Sequence, residues 1–524
     1  MTQKRTVLAA ALVLATMCAA CGAGPSFRPD VAVEQQSPGR PGEPSSEAPP
    51  EPAALAVPTT DLDWADCTAA TLGTFGLAST TPGLTLECAE YEADVDASGQ
   101  MFGTFAVGAL RARLDGTPAD AGPLVFTSGS DRSSIATLAT MAAGPLSTLL
   151  AAHPIVAVDR RGIGRSTAVD CIDDTLQSPT KAAVDALGQF TRSDADTVDR
   201  AVDAGRDATI ECTDTLQPQE LAFGTTYAAD DLDRLRQLWG VNQIGVIGSG
   251  NGALTALAYS AKFPDNISRL ILDSPPGVNT DQITLAEQRT QGKEAAFAAF
   301  AQRCVALNCS LGADPTAAVE QLLRRAAGGE FAPLSTHEIL DGITFALAST
   351  AGDASSRATD LSTTLSAAAG SDTAALLALA ERGRNAYGTD GQFVSRCTDG
   401  QQWPSPQGVR DLSSQWTDRY PVYGTDAALK ALLCSSWPTA PSIPLPTSLD
   451  VPVLVLSNAG DPIVGNGGLS SVTGLVGATG AAVASAAWQG SGHPSLGGSQ
   501  CLQSAAVKYA LDTSLPTDGT VCPA

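Results

Sequence analysis

The chain has 524 residues, with 31 basic and 55 acidic side chains, 12 cysteines and three histidines. A formal charge of −24 repels nucleic acid and anionic lipid surfaces, which argues against both as partners of the folded body. Apolar residues make up 44%, enough to bury a sizeable core, so the body is neither fibrous nor disordered. The cysteines are too many for an ordinary cytosolic enzyme and do not form paired C-x-x-C zinc ligands. They point to an exported, oxidising setting.

Lys4 and Arg5 precede an apolar run from Val7 to Met17, followed by Cys18-Ala19-Ala20-Cys21. A basic start, a short apolar stretch and small residues predict a secretory signal peptide over residues 1–20, too short to span a membrane as a mature helix. The Ala-Ala-Cys ending is similar to a bacterial lipobox, although Cys18 stands where Leu or Val is usual. It implies a lipid on Cys21, holding the protein at the outer face of the cytoplasmic membrane; plain secretion is the alternative. Residues 21–60 then read as the attachment site and a linker. From Gly22 to Thr60 there are nine prolines among Ser, Glu, Gly and Ala, a composition that cannot offset its ordering entropy by burial.

Beyond the linker, short apolar runs alternate with helical patterns. Pro123–Phe126 and Pro154–Val158 read as buried strands. Ala229–Trp239 has helical spacing, Asn242–Ile247 is a strand, and a glycine-rich turn leads into the helical pattern Ala253–Lys262. Strands follow at Arg269–Asp273 and, far downstream, Pro452–Leu456. The alternation predicts an α/β fold, a mostly parallel sheet with helices on both faces. Between residues 285 and 446 the strands stop and Ala-rich helical patterns such as Lys293–Leu307 and Pro315–Arg325 take over. This segment is expected to be a helical cap inserted into the body, whose two parts are residues 61–284 and 447–524, and to lie over the strand ends where such sheets carry their sites.

Several motifs in this order resemble a known family. They are Asp159-Arg-Arg-Gly-Ile-Gly-Arg-Ser166, Gly248-Ser-Gly-Asn-Gly252, Phe263–Asp273 and Ser457-Asn-Ala-Gly-Asp-Pro462, then Gly492-His-Pro494 with Cys501 and Leu515–Cys522. From about Trp64 to Cys522 the chain resembles the secreted tripeptidyl aminopeptidases of actinobacteria, α/β-hydrolases with a helical cap and a TAP-like C-terminal segment. The resemblance implies the pairings Cys67–Cys88, Cys171–Cys212, Cys304–Cys309, Cys397–Cys434 and Cys501–Cys522. Cys21 is then left for lipid and Cys18 for the discarded peptide.

A hydrolase of this kind needs a nucleophile on a sharp strand-to-helix turn, flanked by small residues, then an acid and then a histidine in chain order. Asp461, just after a strand, has the acid's place. His493, in a glycine-rich loop before the last helix, has the base's place. His153 and His337 are expected to be surface or packing residues. With Gly248 and Gly252 at the small positions, the nucleophile's place falls on Gly250, which has no side chain. Ser249 is the nearest substitute, but in this register its side chain is expected to point away from the histidine. The loop that carries an oxyanion donor in the family reads Thr127-Ser-Gly-Ser-Asp-Arg132 here. Gly129 and Ser130 in that loop, and Asn251 after the turn, hold the oxyanion positions. Asp131 would oppose a developing negative charge if it faced the site.

Two readings follow. One is a family member with little or no serine-hydrolase activity that binds a peptide, another small ligand or a protein partner in the cleft under the cap. The other is an active hydrolase of peptides, amides or esters, with Ser249, Ser128 or Ser130 displaced into the nucleophile's role beside His493 and Asp461. Nothing in the residues points to a metal or an organic cofactor, and a membrane is involved only through the lipid anchor.

Overall fold

The computed structural model describes residues 54–172 and 195–524. The expected signal peptide, Cys18, Cys21 and the expected linker as far as residue 53 lie outside the described residues. The body begins earlier than the composition suggests. Leu55 is buried in a core cluster and the Thr59 N–H donates to the Trp239 carbonyl, so the expected linker boundary at residue 60 falls inside the packed structure.

Ten strands form one sheet: β1 (Ala65–Asp66), β2 (Leu84–Asp94), β3 (Thr104–Leu114), β4 (Leu124–Thr127), β5 (Ile155–Val158), β6 (Ile244–Ser249), β7 (Ile267–Asp273), β8 (Val453–Gly460), β9 (Val483–Ser491) and β10 (Thr520–Cys522). Their order across the sheet is β1-β2-β3-β5-β4-β6-β7-β8-β9-β10. The pairs β1–β2, β2–β3 and β3–β5 are antiparallel, and from β5 to β10 every pair is parallel. Strands β4 to β7 are buried along their whole length, as expected where helices cover both faces.

Period-two alternation divides the core. Phe126, Ile155 and Ile247 face one side with Leu138 and Leu146, and with Leu502 and Tyr509 of the helix Gln500–Asp512. Val125, Val156 and Val246 face the other, with Leu232 and Trp239 of the helix Thr225–Trp239 and Leu257 and Tyr259 of the helix Gly252–Lys262. The hairpin β2–β3 escapes a hydropathy reading because Glu87, Arg111 and Arg113 occupy alternate positions and pair with one another across the strands.

Between β7 and β8 the chain runs through eight helices, from Gln282–Leu307 to Gly424–Lys430, and through no strand. Phe297, Phe300, Leu322, Ile339, Leu361 and Leu376 give these helices a core of their own. The helix Ala195–Leu216, far upstream, joins them by packing Val198, Ala201 and Ala204 against Val409 and Trp416. Disulfides join Cys67–Cys88, Cys171–Cys212, Cys304–Cys309, Cys397–Cys434 and Cys501–Cys522. Among the described residues no helix is long and apolar enough to cross a membrane.

The motif beginning at Asp159 is a structural knot. The Asp159 carboxylate accepts the Ile135 and Arg165 N–H groups and the Ser133 hydroxyl, fixing the start of the helix Ser134–Ala143. Arg160 donates to the Phe223 carbonyl and pairs with Asp399 at 2.8 Å, linking the sheet to the helix Asp390–Asp399. Arg161 holds both oxygens of buried Asp231 and donates to the Asp94, Val95 and Ala222 carbonyls. Replacing Arg161 with Met leaves Asp231 buried and unpaired, so urea unfolding is expected to show a loss of about 3–5 kcal/mol. The double variant with Asp231→Asn is expected to recover part of it.

Candidate active site

Strand β6 ends at Ser249, and the chain turns at Gly250 directly into the helix Gly252–Lys262. Gly250 has φ +56°, a conformation costly for any residue with a Cβ. Its N–H donates to the Asp273 carbonyl of the adjacent strand at 3.0 Å, which fixes the turn against the sheet. Side chains at Gly248 or Gly252 would collide with backbone, at Gly252 and at Thr127 respectively. The strand-to-helix turn therefore has the small flanks the sequence pattern requires. A Cβ built on Gly250 lies 3.1 Å from His493 Nε2, so a side chain at this position would meet the histidine.

The base and acid positions are assembled. His493 Nδ1 faces Asp461 Oδ2 at 2.8 Å, and Asp461 Oδ1 accepts the Ile463 and Val464 N–H groups at 2.8 and 3.0 Å. Burial alone would raise the Asp461 carboxyl, but the adjacent His493 ring and these N–H donors hold it below its ordinary value. The acid is thus ionised, and in the neutral tautomer that donates to it through Nδ1 the ring would leave Nε2 as an acceptor. The histidine loop is held from several sides. Asp273 accepts the Ser495 and Leu496 N–H groups, Asn458 donates to the Gly492 carbonyl, and the His493 N–H donates to Ala348 at the end of the helix Thr336–Ala348.

Ser249 corrects one expectation. Its hydroxyl does not point away from the histidine; it lies 3.3 Å from Nε2, within reach to donate to it. Ser249 is 0% exposed and does not line the cavity, so it fills the acceptor site from beneath without meeting a ligand. Ser128 is likewise buried, and Ser130 reaches the cavity but accepts from the Asn251 side-chain amide at 2.8 Å.

The side chain facing the turn from the opposite loop is Asp131. Its Oδ2 accepts the Asn251 backbone N–H at 2.5 Å and would overlap a Cβ placed on Gly250. The carboxylate thus stands in the volume that a side chain at residue 250 would need and occupies the Asn251 N–H. The Gly129 N–H is also taken, by the Thr127 hydroxyl at 3.1 Å. Donors of this kind are worth about 3–4 kcal/mol each to an acyl-transfer transition state, and a fixed carboxylate beside them reverses the sign of the local field.

A cavity of about 710 Å³ opens above Asp131, Ser130 and Asn251, walled by the helices between β7 and β8. His493 and Asp461 do not line it, and they are 2% and 1% exposed. The other histidines differ from one another. His153 is buried, with Nδ1 on the Gly122 carbonyl, whereas His337 lines the cavity between Asp341 and Asp426. Arg289, Lys293, Arg396 and Lys430 line it too. Arg289 and Lys293 stand one turn apart on the helix Gln282–Leu307, whereas Arg396 and Lys430 come from two other helices. Among the described residues no group of three or more His, Cys, Asp or Glu converges as a metal site would require.

Comparison with known proteins gives the same framework. The family model described as alpha/beta hydrolase fold matches residues 144–327, and that described as TAP-like protein matches residues 420–522. Among solved structures, a serine hydrolase from Cycloclasticus zankles is similar at 11% identity and a TM-score of 0.35, covering 80% of this chain and 97% of its own. A thermophilic esterase from Thermogutta terrifontis is similar at 14% identity and a TM-score of 0.32, with the same coverage of 80% and 97%. No curated protein matches the chain.

The overlap at the turn has a measurable consequence. Gly250→Ala is expected to cost about 1–3 kcal/mol in urea unfolding through its backbone conformation, plus the displacement of Asp131. In an Asp131→Ala background the same substitution is expected to cost less, and the difference in a double-mutant cycle measures the contact.

Proposed function

Starting from an α/β-hydrolase fold with a TAP-like C-terminal segment, we propose that this chain is an exported, lipid-anchored binding protein without serine-hydrolase turnover. Its ligand, a peptide or another small molecule, occupies the cavity under the helices between β7 and β8. The observation that carries this reading is the Asp131 carboxylate seated on the Asn251 N–H in the space that a side chain at residue 250 would need. The base has no nucleophile on its cavity side, and the oxyanion position already contains a negative charge.

The rival reading, a displaced serine, has one observation in its favour: the Ser249 hydroxyl lies 3.3 Å from His493 Nε2. Burial works against it, because Ser249 is closed off from the cavity by the turn itself. Envelope attachment rests on the signal pattern and Cys21. Cys21→Ser is expected to move the protein from the membrane fraction to the medium.

A fluorophosphonate probe separates the two readings. The wild-type chain and Ser249→Ala are expected to remain unlabelled. Gly250→Ser alone is expected to label poorly, because its Cβ meets Asp131. Combining it with Asp131→Ala is expected to raise labelling at least about tenfold, since loss of one oxyanion donor alone changes rates by about 100-fold or more. Rapid labelling of the wild type that disappears in Ser249→Ala or His493→Ala would overturn the proposal.

A further inference from the structure

The cavity holds cations that its acids leave unpaired. Four cationic side chains line it: Arg289, Lys293, Arg396 and Lys430. Six aspartates line it as well, and three of them are engaged elsewhere: Asp281 accepts the Thr284 N–H, Asp390 accepts the Cys171 and Ile172 N–H groups, and Asp399 pairs with Arg160. Asp341 and Asp426 are taken by Lys430, at 3.2 and 3.3 Å, and by His337, at 3.3 and 3.1 Å. Asp131 is held by the Asn251 N–H, with Arg289 at 3.8 Å.

Lys293 and Arg396 therefore lack a carboxylate within ion-pair distance among the described residues. Arg396 donates to the Tyr387 carbonyl at 3.4 Å, and Lys293 stands over the Tyr423 ring at 5.8 Å. Arg289 is tied through one nitrogen to the Asn251 side chain at 2.6 Å, while its Nε is buried without a partner. Burial, followed by the charge of Lys430, pulls the Lys293 ammonium down to about 8. Burial and then the neighbouring Arg289 also lower Arg396. Cations withdrawn from water in this way are stabilised by an anion that satisfies their donors. The same cavity has an apolar wall, in which Leu254, Val278, Leu285, Ile443 and Leu445 take part. A polar end beside an apolar wall suits an amphiphilic ligand.

We propose that this cavity binds a carboxylate on an apolar body, with the carboxylate on Arg396, Lys293 and Arg289 and the body along the apolar wall. The arginine fork matches the two oxygens of a carboxylate, and Lys293 adds a point charge. The inference rests on the ligand-binding reading above and specifies its chemistry.

Calorimetric titration of the full-length chain with octanoate, octanamide and octylamine tests it. The three probes share a body and differ in the charge of the head. Octanoate is expected to bind at least about tenfold tighter than octanamide, and octylamine weakest, since a charge-assisted hydrogen bond is worth about 1.5–3 kcal/mol and tenfold is about 1.4 kcal/mol. Arg396→Gln and Lys293→Met are each expected to weaken octanoate about tenfold and to leave octanamide unchanged. Thermal unfolding confirms that each variant is folded, and either one suffices for the comparison. Equal or tighter binding of octanamide or octylamine overturns the anion site while leaving ligand binding in the cavity intact. Loss of octanoate and octanamide in equal proportion in both variants also overturns it. If none of the three binds at millimolar concentration, both the anion site and the ligand-binding reading fall.

Discussion

A carboxylate and a backbone N–H meet in the volume that a side chain at residue 250 would require. The Asp131–Asn251 hydrogen bond joins the loop after β4 to the strand-to-helix turn after β6, and it depends on Gly250 having no Cβ. The absence of one side chain and the position of another are thus one structural fact. A serine at 250 would need Asp131 to leave, and Asp131 in its present place makes the adjacent N–H useless to an oxyanion. Glycine at this position also avoids the backbone strain that a left-handed turn imposes on a residue with a Cβ.

The Asp461–His493 pair is kept in working geometry by the fold's own bonding. Asp273 and Asn458 hold the histidine loop to the ends of β7 and β8, and Ala348 holds it to the helical segment above. These contacts are buried and satisfied, so the pair contributes to the packing of the site whether or not it moves protons. Ser249 completes this network from below by meeting Nε2. Retention of the pair is therefore weak support for catalysis; a pair enclosed in this way is also a structural element.

The helices between β7 and β8 contribute a different chemistry. Their inner surfaces bring Arg289, Lys293, Arg396 and Lys430 into one cavity, where Lys430 engages Asp341 and Asp426 while Lys293 and Arg396 have no carboxylate within ion-pair distance among the described residues. In a chain with net charge −24, a cluster of cations without acids of their own is unexpected from composition. It follows from the directions in which separate helices point their side chains. Charge on the surface keeps the protein soluble, whereas charge in the cavity selects what enters.

The parallel centre of the sheet was legible from hydropathy alone. β4 to β8 are short apolar runs between turns, and a buried strand needs no more than that. The half-polar hairpin β2–β3 and the helix Ala195–Leu216 were not, because cross-strand ion pairs and long-range packing hold them in place. The place of Gly250 in the turn was readable because small flanks at Gly248 and Gly252 are a local steric requirement. The chain order of Asp461 and His493 was readable because loop and strand positions are set locally. Which way Ser249 faces, and what fills the space above Gly250, depended on the approach of a loop more than a hundred residues away in sequence. The cluster of cations is likewise non-local, since Arg289 and Lys293 share one helix while Arg396 and Lys430 come from two others. The linear pattern determined that a glycine stands at the turn; only the tertiary structure decided that a carboxylate stands beside it, because two loops distant in sequence meet where the Cβ is absent.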